Sequence, residues 1–63
     1  MFKKEHIDAL FGELNRRWRG KPDFEQLNRD AHLAIALFDA GRPLGPEIDS
    51  RVAALVEKHK PKE

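Results

Sequence analysis

Apolar side chains recur along this chain at helical spacing, in three stretches separated by two glycine–proline breaks. In the first stretch Ile7, Leu10, Phe11, Leu14 and Trp18 fall at i, i+3, i+4, i+7 and i+11. At about 100° per residue these positions form one stripe, and polar residues fill most of the remaining wheel. The spacing predicts a helix over about 3–19. Gly12 lies on its polar side, where it costs about 1 kcal/mol relative to alanine.

The second stretch places Phe24, Leu27, Ala31, Ala34, Ile35 and Phe38 on one stripe and predicts a helix over about 24–40. Asp23 is a suitable N-cap, and Gln26 stands where a capping box takes Glu or Gln. Leu33 and Leu37 fall outside the main stripe. The apolar arc is therefore wider than a single neighbour requires. It suits a helix packed against two others, or one that also faces a partner.

In the third stretch Ile48, Val52, Leu55 and Val56 form the stripe, and the expected helix runs over about 46–59. Pro46 suits its first turn, and Glu47 and Asp49 complement the positive end of the macrodipole. Pro61 stops the helix, so residues 60–63 read as a frayed charged tail.

The breaks are Arg19-Gly20-Lys21-Pro22 and Ala40-Gly41-Arg42-Pro43. Glycine just past a helix end takes the left-handed conformation cheaply, and a following proline prevents continuation. Leu44, within the second connection, is placed to pack beneath it. No stretch alternates with the period of a strand. The expected fold is all-α: a compact three-helix bundle forming one domain over 1–59. Its rival is an open helical hairpin that completes a small core by homodimerising.

Composition narrows the function. The 63 residues are 40% apolar and 37% charged, with a net charge of +1, which suits a folded chain rather than a disordered one. The longest apolar run, Leu33 to Phe38, is far short of the roughly 18 residues that cross a bilayer. The start of the chain shows no apolar signal region. Cysteine is absent, which excludes disulfides, thiolate metal sites and cysteine nucleophiles. These features together fit a cytoplasmic protein. The apolar side chains suffice for one core and leave little to wall a catalytic pocket. No phosphate loop, nucleophile elbow or zinc-protease pattern is present. An enzyme, a cofactor and a small-molecule substrate are therefore not expected. His6, His32 and His59 come one from each predicted helix at spacings that match no metal motif. His6 opens the first helix and His59 closes the third, so they are expected apart.

Two surfaces carry the remaining interest. Arg16, Arg17, Arg19 and Lys21 surround the single tryptophan, Trp18. Cations beside an aromatic suit phosphate and base contacts. The same residues also suit a helix C-terminus, with Trp18 in the core. A helix-turn-helix reading of the second and third helices is opposed by two prolines in the connection and a mixed outer face on the third. The other surface is Leu33 and Leu37 with Ala36 and Ala40, an apolar patch of the kind that marks association. Asp30 lies on the same side and needs a partner or water. Arg16, Arg17 or Arg19 could supply it, within one protomer or across a dimer, but a plain rim position for Asp30 is the favoured expectation. The leading expectation is a small helical interaction module that binds itself or a larger protein through the Leu33–Leu37 face. The alternative is a nucleic-acid-binding accessory protein that uses the Arg16–Lys21 corner.

Overall fold

The computed structural model describes residues 1–62; Glu63, the last residue of the expected tail, lies outside the described residues. The chain forms three helices: α1 (Lys4–Trp18), α2 (Phe24–Asp39) and α3 (Ser50–His59). All three touch one another, giving a three-helix bundle. Leu10 and Leu14 of α1, Leu27 of α2 and Val52 of α3 form its fully buried centre. Ala31, Ala34, Ile35, Leu55 and Val56 complete the helical part of the core.

Both glycine breaks act as the sequence suggests. Gly20 has φ +86° and Gly41 has φ +74°. At the end of α2 the Arg42 N–H donates to Leu37 O at 2.9 Å, and the Gly41 N–H donates to Phe38 O at 3.0 Å. This paired closure satisfies carbonyls that the end of the helix would otherwise leave bare.

α3 starts four residues later than expected. Pro46 and Glu47 form a turn, in which the Ile48 N–H donates to Gly45 O at 3.2 Å. Ile48 is buried although it precedes the helix. The helix opens instead at Asp49, whose carboxylate accepts from the Arg51 N–H at 2.9 Å. A true side-chain cap here defines the first turn better than proline at position 46 does. Asp23 is the N-cap residue of α2, as expected, but its side chain makes no capping bond. That carboxylate takes the Arg51 guanidinium at 2.7 Å instead. A charge-assisted bond outweighs a neutral backbone donor.

The direction of the helices follows from these contacts. Phe2 meets Phe38 edge-to-face, with ring centroids 5.0 Å apart, and its N–H donates to Asp39 Oδ1 at 2.8 Å. The start of α1 therefore lies beside the end of α2. Arg51 lies over Trp18 and bonds Asp23, while the Asp49 N–H donates to Asp30 at 3.1 Å. The connection after Gly41 thus runs back along α2, and α3 departs from the same end as α2. Ten extended residues span up to about 33 Å, enough to return along a helix of about 24 Å. Consequently α1 and α3 run in opposite directions, and residues near both ends of the chain meet. Pro61 is buried there, so residue 61 of the expected frayed tail is packed.

Candidate interaction surfaces

The first surface is the outer side of α2. Leu33 is 45% exposed, and among the described residues only Met1 is another exposed large apolar side chain. Ala36 and Ala40 are also exposed, as the sequence suggests. Leu37 is not: it is half-buried and packs against the core. Asp30 is half-buried. Its carboxylate accepts the Asp49 N–H, and none of the arginines near Trp18 reaches it. The returning connection brings a backbone donor to Asp30, while the nearby Arg51 guanidinium is held by Asp23 and Asp49. The apolar patch therefore shrinks at its α3 side. Leu33, Ala36 and Ala40 remain in it, and an exposed row continues from them along the helix. Gln26, Arg29, Leu33, Ala36 and Ala40 are all exposed, at successive spacings of three, four, three and four. This is the period of a helix–helix seam.

The second surface is the basic corner. Arg16, Arg17, Arg19 and Lys21 are all exposed. Among the described residues no ion pair engages Arg16, Arg19 or Lys21. Arg17 is engaged twice: its guanidinium lies 4.5 Å from the Trp18 ring centroid, and Nη1 is 3.4 Å from Glu13 Oε2. Trp18 is half-buried against the core beneath it, so its face is not free for a base.

Glu13 has no place in an apolar-stripe argument, yet it is the buried charged residue that joins α1 to α3. It is 7% exposed. His59 Nε2 lies 2.7 Å from Oε1, and Lys58 Nζ lies 3.0 Å from the same oxygen. The hydrogen bond from His59, then that from Lys58, lowers the Glu13 pKa to about 2. A comparable group sits at the other end of α3. There the Arg51 side chain and backbone N–H both donate to Asp49 and hold it at about 2. The same guanidinium also lowers Asp23. The signal for Glu13 was its i, i+4 spacing to Arg17 alone, since the wheel places it well off the apolar stripe. Its α3 partners were not legible without the helix direction.

The antiparallel run of α1 and α3 also brings His6 and His59 to one cleft of about 570 Å³, where the chain order had suggested separation. Lys3, Lys58, Lys60 and Lys62 line it with them. The His6 Nδ1 accepts the Lys3 N–H at 3.3 Å. His32 is elsewhere, its ring against Phe11 at 4.7 Å. Among the described residues no group of three His, Cys, Asp or Glu side chains converges as metal ligands. No described helix is long and apolar enough to cross a membrane.

The fold and its surfaces define a small all-α three-helix domain. Comparison with protein-family models, curated proteins and solved structures finds no match.

Proposed function

We propose that the protein is a non-enzymatic helical interaction module that pairs with a second copy of itself through the outer face of α2. The observation that carries this reading is the exposed seam of Gln26, Arg29, Leu33, Ala36 and Ala40 at helix-pairing spacing. The small Ala36 and Ala40 that follow Leu33 along the seam let a second helix approach closely, and leucine supplies the apolar contact. Charge supports an antiparallel partner. The last turn of α2 carries Asp39 and no basic residue. An antiparallel copy brings its Arg29 towards that end, where the carbonyls and Asp39 attract a cation. The core closes within one protomer, so pairing adds to a folded domain rather than completing a half-built one. One helix face is small against the 1,200–2,000 Å² of a standard interface, which implies a Kd of roughly micromolar or weaker.

Sedimentation equilibrium over a range of concentrations tests the reading. The wild-type chain self-associates, and Leu33→Asp gives a monomer with unchanged helical circular dichroism. A wild-type monomer at every concentration, or a Leu33→Asp variant that still pairs, refutes the assignment. Capture of a different protein by the same face, with no self-association, refutes the choice of partner.

A further inference from the structure

The fold sorts charge in a way the linear order hides. Residues 1–22 hold six cations against Glu5, Asp8 and Glu13. Residues 57–62 hold Lys58, Lys60 and Lys62 against Glu57. Because α1 and α3 run in opposite directions, these two segments share one face. Residues 23–56 hold Arg29, Arg42 and Arg51 against six carboxylates. A chain of net charge +1 thus folds into a basic side and an acidic side.

The basic side is continuous. At one end Arg16, Arg19 and Lys21 are exposed and without an ion pair among the described residues. Midway, Arg17 and Lys58 approach the same Glu13 carboxylate from α1 and α3, at 3.4 and 3.0 Å. That carboxylate is buried beneath them, so the seam presents cations to solvent. At the far end Lys58 also lines the cleft, with Lys3, Lys60 and Lys62 outnumbering the one lining carboxylate, Glu5. Lys3 and Lys62 have no ion pair among the described residues, and Lys60 holds only the exposed Glu57, at 2.8 Å.

We propose that this α1–α3 face is a track for the phosphate backbone of nucleic acid, with Lys58, Lys60 and Lys62 extending the Arg16–Lys21 corner. The inference does not rest on pairing through α2. The fifteen residues of α1 span about 22 Å, which matches roughly six phosphates of one strand. A track of that length suits an extended polyanion better than a compact one. Trp18 lies half-buried under Arg17, which leaves no platform for stacked bases. Binding is therefore phosphate-driven, tolerant of sequence and steeply dependent on salt. A lipid surface is disfavoured because, among the described residues, Met1 is the one exposed large apolar side chain at this face; Leu33 lies on the outer side of α2.

The test is fluorescence anisotropy with a labelled mixed-sequence 20-base-pair DNA at several salt concentrations. Neutralising about five phosphates gives a slope of log K against log salt near −4.5, a loss of several hundred-fold between about 50 and 200 mM. The substituted side chains are exposed, and circular dichroism checks that each variant is folded. Lys60→Gln/Lys62→Gln and Arg16→Gln/Arg19→Gln each make the slope shallower by about 2. Arg42→Gln, on the acidic side, leaves it unchanged. The Leu33→Asp variant keeps the slope of a single protomer, whether or not the wild-type chain pairs.

No binding at low salt overturns the proposal. A Lys60→Gln/Lys62→Gln variant that binds like wild type overturns the track and leaves only the corner. Tighter binding to phosphatidylserine vesicles than to DNA overturns the choice of polyanion.

Discussion

Leu33→Ala gives the most direct quantitative test of the α2 seam. Leu33 is 45% exposed in one protomer, so nearly half of its apolar surface is still available for burial. Full burial of a leucine side chain stabilises by about 1.5–3 kcal/mol. Pairing at Leu33 therefore contributes about 1 kcal/mol per copy, or about 2 kcal/mol for a symmetric pair. Alanine removes most of this, raising the dimer Kd by 10- to 30-fold at about 1.4 kcal/mol per tenfold. The rest of the side chain is already covered within the protomer, so fold stability falls by about 1 kcal/mol as well. Sedimentation equilibrium gives the Kd, and urea unfolding at a concentration that favours the monomer gives the stability. A Kd that changes less than about threefold refutes the reasoning. A loss of monomer stability of about 3 kcal/mol or more, as for a fully buried leucine, refutes it too, since Leu33 would then belong to the core.

The half-buried Leu37 should behave differently from its neighbour. Leu37→Asp loses apolar burial and places a carboxylate against the core, costing about 2–4 kcal/mol of stability, and a fully folded variant by urea unfolding contradicts this. The bonds to Glu13 predict a particular acid limb. Its pKa falls from 4.5 to about 2 on folding, so its stabilisation is complete above pH 4.5 and is lost as pH falls towards 2. Glu13→Gln should flatten this limb in unfolding measured across that range, and an unaltered limb excludes Glu13 as its source. Gly12→Ala should stabilise α1 by about 0.5–1 kcal/mol. A Cβ there meets only Arg16 Nη1, at 3.8 Å, and a lowered thermal midpoint contradicts the prediction.

Much of the fold is legible in the apolar stripes. Leu10, Leu14, Leu27, Ala31, Ala34, Val52 and Leu55 are buried where periodicity places them. Phe2 is buried too, but it precedes α1 and so belongs to no stripe. Its burial depends on Phe38 and Asp39, which only the antiparallel pairing of α1 and α2 brings near. The start of α3 was misplaced because Pro46 is compatible with either a first helical turn or the tight turn that forms. The Asp49 cap and the Asp30 contact decide between them.

The candidate surfaces divide in the same way. The basic corner is visible in the sequence because its residues are consecutive, and the exposure of Leu33 follows from its place off the main stripe. Helical period and glycine–proline stops are local properties, so the sequence alone determined three helices, their faces and their breaks. The direction of α3 was decided by the tertiary structure. It depends on a ten-residue connection that runs back along α2, held by Asp30, Asp23 and Arg51 across long sequence separations. That direction buries Glu13 beneath Lys58 and His59 and gathers His6 with His59. It also joins two separate basic segments into one face, because electrostatic neighbours are set by distance in space rather than by order along the chain.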